Sequence, residues 1–466
     1  MTDFILRNVE IDGRTGLDVL LRAGAVAQVG KELEASERCE IVDGNGCALI
    51  PGLHDHHIHL HALAADRVSV RCGPPDVTSS DDLARTLASA PGDGWIRGVG
   101  YFESVAGMLD SEILDRLQST RPVRIQHRSG ALWILNSVAA RLARLDTADH
   151  PGVERNDAGH PTGRIWRADT WLRERLPATT APELDSIGAE LARYGITGVT
   201  DATPDLPPST VEALMDAHAT GAIPQRLHLL GAPSGFRPSE PHCTVGPYKI
   251  VIADSALPDI DDLVCSIRRV HAAGRAVAVH CVSREAFVIL LAALDEAGLH
   301  RGDRIEHGAL VPAESIDDLR RRGIHVVTQP GFLADRGDAY LRDVDPTDLP
   351  DLYRCRSLID GGVPLALSSD APYGPVDPWE VMVATVTRRC PTGDVVGAVE
   401  RITPPEALDR YLAPLDDPGG PARHVTIGAE ADLVLLDGPL TEVLDDPDAR
   451  RVRATWIGGR CVYSGP

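Results

Sequence analysis

The sequence predicts an α/β protein: a (β/α)8 TIM barrel with a small β-sandwich domain from both termini and an inserted lid domain. Three observations predict it. The middle of the chain alternates apolar strand-like runs with helix-like runs, the pattern of a parallel sheet. Both ends read as short strands broken by turns, and chain ends often lie close together. A long excess, Ala65 to Leu184, separates the first middle strand from the second and has strands of its own.

Taken in order, residues 1–50 hold the runs Phe4–Ile11, Leu17–Leu21, Ala25–Gly30 and Ile41–Gly44. The run 47–53 is short and apolar, closes on Pro51-Gly52 and reads as the first buried strand. Strand-like runs follow at 195–201, 226–230, 248–252, 276–280, 304–307, 324–329 and 365–370. Helical patterns precede or separate them at Ser186–Arg193, Val211–Gly221, Asp261–Ala273, Arg284–Ala297, Ala313–Arg322 and Arg354–Asp360. With 47–53 the strands number eight, the count of a (β/α)8 barrel. The excess carries Trp95–Gly100, Pro122–His127 and a turn-rich hairpin at Asn156–Gly163. Ala431–Asp437 and Val452–Gly459 return to strand–turn texture. The expected divisions are 1–50 and 411–466 for the two parts of the sandwich and 51–410 for the barrel, with insertion 65–184. Inserted segments on a barrel's catalytic face commonly carry substrate contacts.

Composition excludes several classes of function. The 466 residues carry 46 basic and 68 acidic side chains, a formal charge of −22. Nucleic acid rewards clustered Lys and Arg, and anionic membranes do the same, so neither is an expected partner. The nine cysteines are scattered, without a Cys-x-x-Cys pair, which fits reduced thiols in a cytoplasm. The chain opens without a basic-plus-apolar signal and has no apolar run of spanning length, so a soluble, cytoplasmic protein is expected. Aromatic residues make up only 4%. Any pocket is therefore expected to have mainly aliphatic and polar walls.

The richest stretch is Pro51-Gly52-Leu53-His54-Asp55-His56-His57-Ile58-His59-Leu60-His61. On a strand, residues i and i+2 share a side, so His57 and His59 present two imidazoles to one point. Imidazole suits zinc and its neighbours. His61 shares that parity and is a third ligand or a supporting group; His54 and His56 have the opposite one. A lone His-x-His is more often two solvated or hydrogen-bonded histidines. Later strand ends change the balance. Lys249 sits on the fourth strand with Asp254 just after it, and His280 ends the fifth beside Cys281. Glu306 and His307 end the sixth, Gln329 the seventh and Asp370 the eighth. Each strand is apolar up to that residue, and burying such groups unpartnered costs several kcal/mol. A shared site at the C-terminal strand ends removes that cost. Lys249 also has the simpler reading of a lysine that reaches solvent or pairs with Asp254. Asp55, Glu306 and Gln329 read as hydrogen-bonding supports.

These pieces resemble the amidohydrolase superfamily of metal-dependent hydrolases, in particular its YtcJ-like branch, which includes N-substituted formamide deformylase. The matching segments are Pro51–His59, Gly195–Asp201, Val279-His280, Arg304-Ile305-Glu306-His307-Gly308, Gln329-Pro330, Ser369-Asp370-Ala371-Pro372 and Ala429–Asp437, in family order. The resemblance implies that His57, His59, His280, His307 and Asp370 bind metal. It implies that Lys249 stands where relatives carry a carboxylated lysine bridging two metals. Zinc is the implied metal, two ions rather than one, though other divalent ions fit. The implied reaction is hydrolysis of an amide, N-acyl or formamide-like C–N bond of a small molecule by metal-activated water, Asp370 being the catalytic base and then acid. A mononuclear deaminase or cyclic-imide hydrolase on the same scaffold is the alternative, and a non-catalytic scaffold protein a further one. A homodimer is implied by the resemblance alone. The branch's Asp-Gly-His is Ser129-Gly130-Ala131 here, its Gly-Asp after the fifth-strand histidine is Ser283-Arg284, and its glycine after Asp254 is Ser255. The metal-binding residues thus match while residues expected near the substrate differ. Candidate substrate contacts are Arg128, Trp133, Asn136, Tyr373 and Trp379.

Overall fold

The computed structural model describes residues 3–36, 39–177, 183–254 and 257–465. They fall into two compact units, Met1–Leu60 with Leu184–Pro466, and His61–Glu183.

In the first unit, the chain ends build two four-stranded sheets. One runs Ala25–Gly30, Arg14–Arg22, Asp3–Ile11, Cys39–Asp43; the other runs Arg460–Ser464, Val452–Ile457, Leu433–Leu436, Leu49–Pro51. Tight hairpins close them where backbones turn left-handed, at Asp12-Gly13 (φ 49° and 75°) and Gly458-Gly459 (φ 55° and 73°). One apolar core joins residues of both sheets: Phe4, Leu6, Val9 and Leu21 with Leu433, Leu435 and Trp456.

The run 47–53 is not one strand. Leu49–Pro51 pairs antiparallel with Leu433–Leu436, and only after Gly52 does β1 (Leu53–Ile58) join the parallel strands. Pro51 has no N–H to continue a ladder, and a side chain at Gly52 would meet Thr197 at 2.1 Å. The chain therefore changes sheets at Pro-Gly.

The parallel strands that follow are β2 (Ile196–Asp201), β3 (Arg226–Leu229), β4 (Tyr248–Val251), β5 (Val277–Cys281), β6 (Arg304–His307), β7 (His325–Thr328) and β8 (Leu365–Leu367). One sheet has the order β1-β2-β3 plus the short strand Cys243–Val245; the other runs β4 through β8. Backbone bonds reach across both gaps, from Lys249 N to Leu230 O (3.2 Å) and from Asp370 N to His57 O (2.8 Å). Helices alternate with the strands, among them Asp185–Arg193, Pro208–Thr220, Ile260–Ala272, Arg284–Ala297 and Ile316–Arg322. Helices outside the expected set include Gly331–Asp343, Pro378–Thr387 and Pro404–Leu412. Two of these begin with proline at the first turn, behind Asp377 and behind Thr403, which forms a capping box with Glu406.

The second unit, beside the expected insertion 65–184, carries a six-stranded sheet in the order 153–155, 161–166, 132–135, 123–127, 96–101, 70–71. Its first core cluster packs Leu83 and Leu87 of the helix Ser80–Ala88 against Ile96, Val123, Ile125 and Ile134.

Candidate metal-binding active site

β1 is buried along its whole length, His57 included. The His57 ring bonds Glu306 through Nδ1 and aims Nε2 at two groups, Lys249 Nζ and Asp370 Oδ1, each 3.4 Å away. His59 brings its own Nε2 to 3.2 Å from the same Asp370 oxygen, and Thr203 Oγ1 holds its Nδ1 at 3.0 Å. The His307 ring lies 4.8 Å from that of His57 and 4.5 Å from that of His280, between centroids. Gln329 Oε1 accepts from His307 Nδ1 at 2.9 Å, while its amide nitrogen donates to Ser368 Oγ at 2.9 Å. Adjacent strand residues normally face opposite sides. Here His307 and Asp370 adopt left-handed backbones (φ 72° and 54°), so Glu306 and His307 both reach the site. Such conformations cost energy in non-glycine residues and gather at functional sites. The expected run 365–370 is a strand only as far as Leu367, three residues before the left-handed Asp370.

Burial and charge set the protonation states. Burial drives the His57 imidazole down to about 3, aided by the Lys249 charge, and drives His307 down as well. Both are therefore held neutral, the form that ligates metal. Burial pushes the Lys249 ammonium down to about 8. Burial would raise Glu306, but Arg304, His57 and Lys249 outweigh it and keep the carboxylate ionised. Asp370 follows the same logic: burial opposes its charge, yet the facing imidazoles of His59, His57 and His307 hold it below the usual range. Asp55 goes the other way, raised to about 6 by burial despite bonds from Ser369 and the His57 backbone N–H.

The donor set fits a cation. Asp370 Oδ1 is buried without a hydrogen-bond partner, and ligand atoms of His57, His59 and Asp370 lie within 4.8 Å of one another. Among the described residues this is the one such grouping of three histidine, cysteine or acidic side chains. Two imidazoles and a carboxylate suit zinc and similar divalent ions.

Of the supports, Asp55 accepts from both Ser369 and His57 N. Asp254 accepts from Ser283 Oγ at 2.7 Å. Ser255 lies outside the described residues. Cys281 is buried and its thiol is pushed upward by burial, which leaves it poorly nucleophilic. His61 lies on the helix Leu60–Arg67 and belongs to the second unit.

The substrate candidates need correction. Tyr373 sits against His59, 5.6 Å between ring centroids. Trp379 is fully buried, and its indole N–H donates to Tyr194 O at 3.0 Å. Asn136 is also fully buried: its oxygen accepts from Val123 N and Ala139 N, and its nitrogen donates to Gln118 O and Arg121 O. Both are structural. Trp133 is 5% exposed, donates to Asp169 at 2.7 Å and carries Arg97 and Arg124 on its ring. Arg128 stacks on Phe102, 3.2 Å from the ring centroid. Sequence reasoning passed over Arg304, which is buried and pairs with Glu306. Its signal was a charged residue two positions before Glu306, on the same side of the strand.

A family model described as "Amidohydrolase family" matches residues 40–463. An N-substituted formamide deformylase of Arthrobacter pascens is 25% identical, over 98% of this chain and 97% of that protein. The putative amidohydrolase YtcJ of Bacillus subtilis (strain 168) is 25% identical over 93% and 92%. The crystal structure of an uncharacterized metal-dependent hydrolase from Pyrococcus furiosus superposes with a TM-score of 0.69 at 21% identity, covering 92% of this chain and 98% of that one.

Proposed function

The chain belongs to the amidohydrolase family, and from that membership we propose that it hydrolyses an amide, N-acyl or formamide-like C–N bond of a small molecule with the help of a divalent metal. The two parallel sheets close, in this reading, into one (β/α)8 barrel whose C-terminal strand ends carry the site. The observation that carries the proposal is the meeting of His57, His59 and Asp370 around a buried carboxylate oxygen that faces both imidazoles, beside a buried lysine. His57, His59, His280, His307 and Asp370 would hold the metal, zinc by preference, with a carboxylated Lys249 bridging a second ion. Bound there, the metal supplies an acidified water and a polarised carbonyl.

The chain's own residues do the rest. Asp370 takes a proton from the attacking water and returns it to the departing nitrogen. Glu306, backed by Arg304, fixes the His57 ring so that Nε2 faces inward; Thr203 and Gln329 do the same for His59 and His307. Because burial brings Lys249 to about 8, its neutral amine, the form that adds carbon dioxide, is more populated near neutral pH than in an ordinary lysine.

A second reading has two observations in its favour. The Lys249 amine lies 3.4 Å from His57 Nε2, and the tight grouping supplies ligands for one ion. A mononuclear deaminase or cyclic-imide hydrolase would use the site in that form. Elemental analysis of wild type and Lys249→Ala decides between them. About two ions in wild type, falling in the variant, supports the binuclear hydrolase. One ion, unchanged in the variant, removes the bridging role of Lys249. Absence of tightly held metal would overturn both.

A further inference from the structure

The six-stranded sheet of the second unit has two unlike faces. One is apolar and packs Ile96, Val123, Ile125 and Ile134 into a core. The other carries charge. Arg97 on the strand Ile96–Tyr101 is level with Arg124 on Val123–His127, and level residues of paired strands point the same way. Trp133 is level with Gln126, two residues past Arg124; Arg71 is level with Val99, two past Arg97. By the period of two, Arg71, Arg97, Arg124 and Trp133 share this face. Their surroundings differ. Asp66 grips the Arg71 guanidinium at both ends, 3.1 and 2.6 Å away. Arg97 donates to Ala65 O at 2.9 Å and bonds Ser69 Oγ. The Trp133 indole N–H goes to Asp169 at 2.7 Å. Arg124 lies over the Trp133 ring, 5.1 Å from its centroid, and among the described residues it has no hydrogen bond and no ion pair. Asp169 acts on it through its field alone, while burial and the Arg97 charge push the guanidinium down to about 10. Like charges side by side destabilise a sheet. An indole face recovers only part of the cost of taking a guanidinium out of water. The fold thus carries an expense at Arg124 that a bound anion would offset.

We propose that Arg124, with Arg97 beside it and Trp133 behind it, binds the carboxylate of a small organic molecule. A guanidinium presents parallel N–H groups that match the two oxygens of a carboxylate. One guanidinium without an acceptor balances one negative charge, so a monoanion suits the site better than a doubly charged phosphate. The residues all belong to the second unit, and the site needs no metal. It goes beyond the hydrolase reading and stands or falls without it.

The test titrates full-length protein with sodium acetate, with sodium phosphate and with sodium chloride at equal ionic strength, following tryptophan emission and melting temperature. Acetate should change the emission saturably and raise the melting temperature beyond chloride. The emission change should vanish in Trp133→Phe. Arg124→Gln should weaken acetate at least tenfold, and Arg124→Lys, which keeps the charge and loses the fork, should weaken it less. Asp370→Asn should leave the response intact, which separates this site from acetate held by a metal. Without ligand, Arg124→Leu should melt no lower than wild type, because it removes a like charge and an unsatisfied guanidinium. Chloride that acts as acetate does would mark an adventitious ion only and overturn the site. So would an acetate response that survives Arg124→Gln or disappears in Asp370→Asn. Tighter binding of phosphate than of acetate would overturn the carboxylate assignment. A lower ligand-free melting temperature in both Arg124→Leu and Arg124→Gln would make the Arg124–Trp133 stack a structural contact and overturn the proposal.

Discussion

Two of the places where the first unit buries charge are built differently. Below Tyr353, Arg354 donates to Val311 O (2.8 Å) and Glu400 (2.8 Å), and also bonds Asp351. Glu400 in turn accepts from Ser357 N at 2.9 Å, and Arg388 donates to three backbone carbonyls, those of Val396, Tyr353 and Leu352. At the strand ends, by contrast, Asp370 Oδ1 is left without a hydrogen-bond partner, and two candidate ligands, His307 and Asp370, hold left-handed backbones. Closed networks rigidify a fold. An open acceptor facing imidazoles, held under strain, is what a protein keeps for a ligand.

Four experiments would break or sharpen that contrast. The largest effect is expected at Asp370. Asp370→Asn keeps the shape and removes the base, so kcat for any amide the enzyme turns over should fall about a thousand-fold, with thermal stability held or raised. A stability loss with retained kcat would erase the distinction. In the closed network, Glu400→Gln leaves Arg354 buried with weaker compensation. It should cost about 3 kcal/mol, seen as a lower melting temperature with kcat intact. Between these lies Glu306→Gln, which loosens the hold on His57. Metal affinity, measured by competition with a chromogenic chelator, should fall about ten- to a hundred-fold, and Arg304→Gln should shift it in the same direction.

The smallest effect is expected from a titration at the N-terminus of the helix Pro404–Leu412. Glu406 accepts from the Thr403 backbone N–H at 2.8 Å and pairs with Arg356, and these bonds take its carboxyl down to about 2. The folded value lies below the ordinary 4.5, so the stabilisation is present above pH 4.5 and is lost as pH falls toward 2. Glu406→Gln should flatten the acid side of a melting-temperature profile and leave pH 7 to 9 parallel to wild type. An unchanged acid limb would remove the capping box from the account.

Much of this was legible in residue order because strands that end in a polar group after an apolar run announce themselves. His57, His59 and Asp370 meet at one point, and Arg284–Ala297 is a helix from end to end. What escaped was of two kinds. Trp379 and Asn136 carry polar atoms that suit a substrate, but whether such an atom faces a cavity or a neighbouring carbonyl depends on tertiary packing. Gly52 and the left-handed His307 and Asp370 break the period-two rule, so strand limits drawn from alternation overran at 47–53 and 365–370. The helix Pro404–Leu412 was readable from Thr403-Pro404-Pro405-Glu406 and lies beyond the barrel count that drew attention elsewhere.

β1 meets β8 across the widest span of chain in the site: Asp55 and Ser369 bond each other although 314 residues apart. Contacts of such sequence separation form late, because closing long loops costs entropy before the contact repays it. A nascent chain that has emerged only as far as β7 holds five of the six candidate ligands but lacks Asp370. In the proposed metal site, capture would then await completion of the sheet, and the last strand to dock would act as a checkpoint on maturation.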